Sequence, residues 1–237
     1  MPTILVTGAS RGLGLEFVRQ YGNDGWQVIA CCRSPDSADE LRSLAAANEH
    51  IAIEKLDVQS HAEIEALAEK YSGQSIDVLL NNAGLIGPLP YEEHIHRQHF
   101  GSTDYSVWDT VFQTNVYGPL KMTEAFVEHV AASKLKIIAN ISSEVSSIAG
   151  FAVPAIAYAS SKSALNRAMT IVATQLKDRG IIVKLFCPGY VKTRMDFSDY
   201  ATVEIPESIN ALRGLISQLT IEDTGTFTRY DGKTLAW

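Results

Sequence analysis

The chain contains 237 residues, of which 46% are hydrophobic and 20% are charged, and its formal net charge is −7 at pH 7. This composition is typical of a folded globular protein and excludes a fibrous or largely disordered chain. The net negative charge argues against general binding to nucleic acids or anionic membranes, although a local basic groove could still hold an anionic ligand.

The cysteines and the N-terminal segment indicate the compartment. Cys31, Cys32 and Cys187 fit neither a disulfide framework nor a zinc-binding pattern, so we expect buried thiols in a reducing environment. The segment MPTILVTGAS lacks the basic flank and long apolar stretch of a signal peptide, and no apolar run approaches about 18 residues. We therefore expect a cytoplasmic protein that does not bind a membrane.

Short segments rich in β-branched residues alternate with longer amphipathic segments along the chain. Six short segments are predicted to form strands: TILVTG, QVIACC, IAIEKL, DVLLNN, KLKIIANIS and IIVKLFCPG. Three segments between the first four strands have apolar residues at helical spacing: GLEFVRQYGNDG, SADELRSLAAAN and HAEIEALAEKYSG. Regular alternation of strand and helix predicts crossover connections and a parallel sheet.

A glycine-rich segment, TGASRGLG at residues 7–14, follows the first strand and opens the first helix. Its glycines allow a tight turn, close approach of the backbone to a pyrophosphate and tight packing of helix on strand, and the helix N-terminus presents free amides. A tight turn without a ligand is the simpler alternative. The expected cofactor-binding residues of this segment are Gly8, Ser10, Arg11, Gly12, Leu13 and Gly14.

The end of the second strand bears on the choice of cofactor. An NAD site usually places Asp or Glu here against the ribose hydroxyl groups, but the stretch is ACCRS. Arg33, with Arg11 nearby, could clamp a 2′-phosphate through charge-assisted hydrogen bonds. We therefore expect NADP(H) in preference to NAD(H). The alternative is that both arginines are solvated surface charges and Asp36 contacts the ribose.

No linker, repeat or shift in composition divides the chain. We predict a single α/β domain over residues 1–237, with a Rossmann-type, doubly wound and mostly parallel sheet of about seven strands and helices on both faces. The irregular segment 195–207 is expected to form a substrate lid. A long helix is predicted from Ser106 to about Ala132, with a kink where Pro119 deprives the carbonyl group of Asn115 of its usual amide partner.

Tyr158 and Lys162 are separated by four positions in the segment AYASSKSALN. On a helix such a pair shares one face, and the ammonium group would favour the phenolate and so lower the pKa of the tyrosine. The spacing is weak evidence alone, since Tyr117 and Lys121 repeat it. The second pair has Pro119 between its members and is interpreted as structural.

Several short motifs follow one another in a fixed order. They are TGASRGLG, Asp57–Val58, NNAG at 81–84, Asn115, NISS at 140–143, Tyr158 with Lys162, and PGYVKT at 188–193. As a set they strongly resemble the short-chain dehydrogenase/reductase family in its single-domain form. The final segment GTFTRYDGKTLAW and the spacing around SSEVSSI resemble the branch with C-factor-like proteins and sniffer-type carbonyl reductases.

The resemblance implies roles for four catalytic residues. Tyr158 is the expected proton donor or acceptor, Lys162 its partner and a ribose ligand, and Asn115 the fourth member of the set. The serine of many relatives lies thirteen positions before the tyrosine, where this chain has Val145. We therefore expect Ser143, with Ser142 or Ser146 as alternatives, and because strand side chains alternate, Ser142 and Ser143 should point in opposite directions.

The resemblance also implies further contacts with the cofactor. Asp57 and Val58 are expected at the adenine, and the loop after the fourth strand should line the cofactor with its backbone. The further cofactor-binding residues expected are Asn82, Ala83, Gly84, Pro188, Gly189, Val191 and Thr193, the last two at the nicotinamide carboxamide.

Together with the resemblance, the residues predict an NADP(H)-dependent oxidoreductase acting on a small carbonyl or alcohol substrate. The resemblance also implies assembly as a homodimer or homotetramer. The alternative is a signalling or regulatory protein that keeps the nucleotide fold but has little turnover. His94, His96 and His99 lie in the segment EEHIHRQH near the expected substrate, and we interpret them as solvated or substrate-facing residues and predict no metal site.

Overall fold

The computed structural model describes residues 1–150, 153–195 and 201–237. Seven parallel strands lie among these residues, and their order in the sheet is β3-β2-β1-β4-β5-β6-β7. The strands are β1 Thr3–Thr7, β2 Gln27–Cys32, β3 Ile51–Lys55, β4 Val78–Asn81, β5 Ile137–Ile141, β6 Ile182–Cys187 and β7 Phe227–Arg229. All six predicted strands are present, and β7 comes from the C-terminal segment.

The helices connect and cover these strands. They are α1 Gly12–Asn23, α2 Asp39–Ala46, α3 His61–Lys70, α4 Tyr91–His94, α5 Tyr105–Phe112, α6 Gly118–Ala131, α7 Ile156–Leu176 and α8 Ile205–Ser217. The start of α3 shows how local sequence sets a boundary, because the Ser60 side chain accepts a hydrogen bond from the amide of Glu63. The three helices predicted between the first four strands correspond to α1, α2 and α3.

Side chains of each strand alternate between two hydrophobic layers. In β1, Ile4 and Val6 pack in one layer with residues of α1 and α8, whereas Leu5 packs in the other with residues of α3, α6 and α7. A parallel sheet covered on both faces is apolar on both. The predicted doubly wound Rossmann-type fold is therefore confirmed.

The order of the strands reverses at β1, which lies between β2 and β4. Connections leave β1 and β4 toward opposite faces of the sheet at such a point, so a crevice opens beyond their carboxyl ends. The glycine-rich segment and the NNAG segment both begin there.

The helix predicted across Pro119 is present and is distorted next to the proline. Helices α5 and α6 are joined by a π turn over Gln113–Tyr117, in which the amide of Gly118 donates to the carbonyl oxygen of Gln113. Pro119 stands in the first turn of α6, where its missing amide is tolerated. The chain therefore continues from α5 through the π turn into α6, and Pro119 distorts the helix without ending it.

The segment after β6 was expected to form a lid over residues 195–207. Its last residues, 205–207, belong to the first turn of α8, and Val203 pairs with Val191 in an isolated parallel bridge. Residues 196–200 lie outside the described residues, so the lid stays a prediction, as does the single domain.

In the part of the chain that the structure describes, no helix combines the length and apolar character needed to cross a membrane.

We predict that Gly14→Ala destabilises the protein, whereas Gly214→Ala does not. A Cβ atom on Gly14 would lie 2.2 Å from the Gly8 carbonyl oxygen, so backbone would have to move, while a Cβ on Gly214 in α8 would meet no atom within 4 Å. We expect the free energy of unfolding to fall by about 1–3 kcal/mol or more in Gly14→Ala and to rise by about 0.5–1 kcal/mol in Gly214→Ala. Urea unfolding of the cofactor-free protein measures both, and equal stabilities would contradict the close approach.

Candidate active site

The turn between β1 and α1 is shaped to receive an anion. Gly8 has a φ angle of +69°, a conformation that favours glycine, and a Cβ there would lie 2.9 Å from Ala83 Cα. Helix α1 has no side-chain hydrogen bond at its N-cap, Arg11, and no acidic residue in its first turn. Its first amides therefore remain available to a phosphate group, and the cradle fits the diphosphate of a dinucleotide.

Thr7 and Asn82 hold the NNAG segment against the glycine-rich turn. The Thr7 hydroxyl accepts hydrogen bonds from the amides of Asn82 and Ala83, each at 3.0 Å, and Asn82 Nδ2 donates to the Thr7 carbonyl oxygen at 2.8 Å. The carboxyl ends of β1 and β4 are thus joined at the edge of the crevice. Thr7 was not among the predicted site residues, although a threonine that ends a buried strand was a usable signal.

Two basic residues lie at the carboxyl ends of β1 and β2. Arg33 directly follows β2, Arg11 precedes α1, and both are exposed and form no ion pair with any described residue. Asp36, the alternative ribose contact, is also exposed. Their side chains are thus available to a ligand.

Asp57 and Val58 follow the carboxyl end of β3, at the same edge of the sheet as the glycine-rich turn. Val58 is buried, and the Asp57 carboxylate accepts a hydrogen bond from the amide of Gln59 at 3.0 Å. A Cβ on Gly118 would lie 2.9 Å from the Val58 carbonyl oxygen, so the start of α6 packs directly on this loop. The loop is positioned by α6, and its contact with an adenine stays a prediction.

Tyr158 lies in the first turn of α7 and is partly buried. Burial raises the pKa of its hydroxyl to about 12, and a hydrogen bond from the Ser143 side chain acts in the opposite direction. The prediction that the pKa is lowered is therefore wrong for the cofactor-free protein. Removing the phenolate from water costs more free energy than the hydrogen bond from Ser143 recovers, so the net effect is a raised pKa.

Lys162 lies one turn further along α7 and is buried, with 4% of its surface exposed. Its Nζ donates a hydrogen bond to the carbonyl oxygen of Ile141, the last residue of β5, at 2.8 Å. Burial lowers the pKa of this amine to about 8, because an ammonium group is costly away from water. The lysine can therefore exchange a proton near neutral pH.

Asn115 lies in the π turn and is fully buried. Its side chain exchanges two hydrogen bonds of 2.8 Å with the backbone of Leu85, and Nδ2 also donates to the Ser161 hydroxyl at 2.9 Å. A Cβ on Gly84 would lie 3.6 Å from Lys162 Nζ and 3.7 Å from Asn115 Oδ1. Asn115 and Lys162 thus both lie beside Gly84, the last residue of the NNAG segment.

The three candidate serines differ in their surroundings. Ser142 and Ser146 are buried, and both hydrogen-bond to the side chain of Asn166 at 2.6 Å. Ser143 is partly buried, and its side chain hydrogen-bonds to Tyr158. The structure therefore places Ser143, and neither alternative, beside the tyrosine.

The segment after β6 closes the other side of the site. The buried Cys187 Sγ accepts hydrogen bonds from the amides of Glu144 at 3.2 Å and Gly189 at 3.4 Å, and the Pro188 carbonyl oxygen accepts one from Ser208 at 2.6 Å. Val191 is buried and Thr193 is partly buried. The segment is anchored next to the Ser143 turn, and contact of Val191 and Thr193 with a nicotinamide stays a prediction.

Gln98 is a buried residue that the sequence did not single out. Its Oε1 accepts a hydrogen bond from the amide of Tyr158 at 3.1 Å, and its Nε2 donates to the Ile86 carbonyl oxygen at 2.7 Å. It thus satisfies a free amide in the first turn of α7 from a distant loop. Its position in a polar segment, EEHIHRQH, gave no indication of burial.

The remaining candidates are the three histidines and the second tyrosine–lysine pair. The described residues contain no group of three or more His, Cys, Asp or Glu side chains placed to hold a metal ion, so His94, His96 and His99 form no such cluster. Tyr117 is 46% exposed and Lys121 forms an ion pair with Glu65. This second tyrosine–lysine pair lies on the surface, in agreement with its structural interpretation.

Comparison with known proteins agrees with this geometry. The family model for short chain dehydrogenases matches residues 2–203. The C-signal protein of Myxococcus xanthus is 32% identical over 175 residues, which cover 73% of this chain and 100% of that protein.

Solved carbonyl reductases have the same fold as this chain. The carbonyl reductase Sniffer of D. melanogaster has 29% identity and a TM-score of 0.89, with full coverage of both chains. The NADPH-bound carbonyl reductase from chicken fatty liver has 29% identity and a TM-score of 0.88, with coverage of 100% of this chain and 99% of that one.

We predict that Lys162→Met changes how stability depends on pH. The folded-state pKa of about 8 is below the ordinary value of 10.5, so the unfolded chain binds more protons and the wild type loses stability as pH falls from about 10.5 to 8. Between pH 10 and pH 7, the free energy of unfolding of the wild type should fall by about 2–3 kcal/mol relative to that of the variant.

The measurement is urea unfolding of both cofactor-free proteins at several pH values. Lys177→Met, which alters an exposed lysine after the same helix, is the control. A constant difference between wild type and Lys162→Met over this range would rule out the effect.

Proposed function

Because the chain belongs to the short-chain dehydrogenase family, we propose that it is an NADP(H)-dependent oxidoreductase that transfers a hydride between the nicotinamide and a carbonyl or alcohol substrate. The observation that carries this proposal is that Ser143 hydrogen-bonds to Tyr158 while Lys162, one helical turn further along α7, bonds to the carbonyl oxygen of Ile141 at the carboxyl end of β5. A fold that only bound nucleotide would not require these three groups together.

The cofactor would lie along the carboxyl edge of the sheet. Its diphosphate would bind the free amides at the start of α1, and Arg11 with Arg33 would bind the 2′-phosphate of NADP(H). The two arginines support NADP(H), as does the NADPH present in the chicken carbonyl reductase. NAD(H) remains the alternative, with Asp36 as its ribose contact.

The proton chemistry belongs to the side chains of this chain. When bound, the nicotinamide supplies or accepts the hydride. In carbonyl reduction, Ser143 orients the substrate oxygen, and the neutral Tyr158 hydroxyl donates its proton to that oxygen as negative charge develops there. Since the pKa of Tyr158 is raised to about 12, its hydroxyl is protonated at neutral pH, the form that reduction needs.

Lys162 would restore the tyrosine after the transfer. Its pKa of about 8 lies close to neutral pH, so the amine can return a proton and regain one from solvent. Its bond to the Ile141 carbonyl oxygen holds Nζ at the site. In alcohol oxidation the same groups would move the proton in reverse.

The apolar surroundings favour a small carbonyl compound or alcohol with a hydrophobic body. Ile86, Tyr91 and Ala155 form a buried cluster against which Tyr158 packs.

We propose a homodimer or homotetramer as the working assembly, which analytical ultracentrifugation measures directly.

A signalling function is the second candidate, and the similarity to the C-signal protein of Myxococcus xanthus favours it. A protein of this type would use cofactor binding, with little turnover, as its output. Substrate-dependent oxidation of NADPH across a panel of aldehydes, ketones, quinones and steroids separates the two candidates.

We predict that Tyr158→Phe lowers kcat for carbonyl reduction by about 10²–10⁴-fold, because the variant lacks the proton donor. The Kd for NADPH should change little, since the aromatic ring remains. Tyr117→Phe is the matched control, because Tyr117 is the exposed tyrosine of the second tyrosine–lysine pair. Full activity in Tyr158→Phe would refute the proposed acid.

We predict that Arg33→Asp lowers the NADPH/NADH ratio of kcat/KM by about 10- to 100-fold. The substitution removes a charge-assisted hydrogen bond worth about 1.5–3 kcal/mol and places a carboxylate near the 2′-phosphate. Arg167→Asp makes the same charge change at an exposed position on α7. An unchanged ratio in Arg33→Asp, equal to that of this control, would count against the assignment of Arg33.

A further inference from the structure

Three residues of α7 follow one another at intervals of one helical turn. Tyr158, Lys162 and Asn166 are four positions apart and therefore share one face of the helix. The first two belong to the proposed proton path. Asn166 is equally buried, with 3% of its surface exposed, and so far has no role.

The side chain of Asn166 binds the turn that follows β5 at two points. Its Oδ1 accepts a hydrogen bond from the Ser142 hydroxyl, and its Nδ2 donates to the Ser146 hydroxyl oxygen, each at 2.6 Å. The amide of Ser146 in turn donates to the Ser143 carbonyl oxygen at 3.0 Å. The residues on both sides of Ser143 are thus tied to one amide group.

The hydroxyl group of Ser143 takes no part in these bonds. It precedes the short helical turn Glu144–Ser146 in an extended conformation, at φ −156° and ψ 147°. A serine in this position commonly caps the turn with its hydroxyl, but Ser143 makes no such bond. Its hydroxyl is directed to Tyr158 instead.

We propose that Asn166 is a positioning residue that holds Ser143 against Tyr158 by binding the hydroxyl groups of Ser142 and Ser146. The proposal rests on the proposed function, because it assigns the effect of Asn166 to the Ser143–Tyr158 pair. Other bonds also hold the turn: the Ser163 hydroxyl donates to the Ser146 carbonyl oxygen at 2.7 Å, and the amides of Ser142 and Glu144 donate to the Phe186 carbonyl oxygen at 2.7 Å and to Cys187 Sγ at 3.2 Å, but none of these bonds involves the hydroxyl groups of Ser142 and Ser146. Without Asn166, two buried hydroxyl groups lose their partners, and the turn can rotate so that one of them is solvated.

A double-mutant cycle tests the proposal in the full chain. Asn166→Leu keeps the size of the side chain and removes both bonds, and Ser143→Ala removes the group that is positioned. We expect Asn166→Leu to lower kcat for carbonyl reduction by about 10- to 100-fold, with less than about a twofold change in Kd for NADPH. In the Ser143→Ala background, the same substitution should lower kcat by less than about twofold.

Thr170→Val, one turn further along α7, is the control, because the Thr170 hydroxyl donates to the Arg167 carbonyl oxygen of the same helix at 2.8 Å. Equal losses from Asn166→Leu in both backgrounds, or a loss of NADPH binding that matches the loss of kcat, would overturn the proposal. If Asn166→Leu does not fold, the pair Ser142→Ala and Ser146→Ala takes its place in the cycle with the same expectation.

A spectroscopic readout separates failure of this proposal from failure of the proposed function. In protein labelled with ¹³C at the tyrosine Cζ position, the Tyr158 resonance is the one missing from Tyr158→Phe. It should shift in the same direction in Asn166→Leu and in Ser143→Ala and stay in place in Thr170→Val. A resonance that moves in Ser143→Ala but not in Asn166→Leu would overturn the positioning role, whereas absence of turnover in the wild type would bear on the proposed function alone.

Discussion

The hydrogen bond from Lys162 Nζ to the Ile141 carbonyl oxygen joins α7 to the carboxyl end of β5, and the rest of the site is arranged around it. An amine at this depth needs a partner, because an unpaired buried ammonium group is too costly to keep. The bond sets the rotation of α7 about its axis. Tyr158 then lies one turn before the lysine, and Asn166 one turn after it, on the same face.

Other buried polar side chains extend this connection into the surrounding loops. Asn115 ties the loop after β4 to α7, and Gln98 ties the start of α7 to Ile86. Each uses both ends of its amide group, which is how a buried amide avoids the penalty for an unmade hydrogen bond. The same bonds that satisfy these groups thus determine the positions of the loops around Tyr158.

Burial also determines the acid–base properties of the site. It raises the pKa of Tyr158 to about 12 and lowers that of Lys162 to about 8, so that each pKa moves in the direction that favours the neutral form. Of the two shifts, only that of Lys162 costs stability at neutral pH, because Tyr158 is neutral there in both the folded and the unfolded chain. Such a cost is usual where a fold keeps ionisable groups away from water for chemistry.

The order of strands and helices, the glycine-rich turn and the candidate residues Ser143, Tyr158 and Lys162 could be predicted from the sequence, because they depend on local pattern and spacing. The sequence favoured Ser143 but left Ser142 and Ser146 open as alternatives, because the bonds that Asn166 makes to those two hydroxyl groups come from another element. The prediction for the pKa of Tyr158 failed for a related reason: the spacing to Lys162 is visible in the sequence, but the depth of burial is not. Gln98 and Thr7 were missed because their partners are remote along the chain.

The sequence by itself therefore determined the fold, the crevice and the residue types at the site. Only the tertiary structure decided which of those residues meet, which are buried and which pKa values move, because hydrogen-bond partners and desolvation come from segments that lie far apart in the chain.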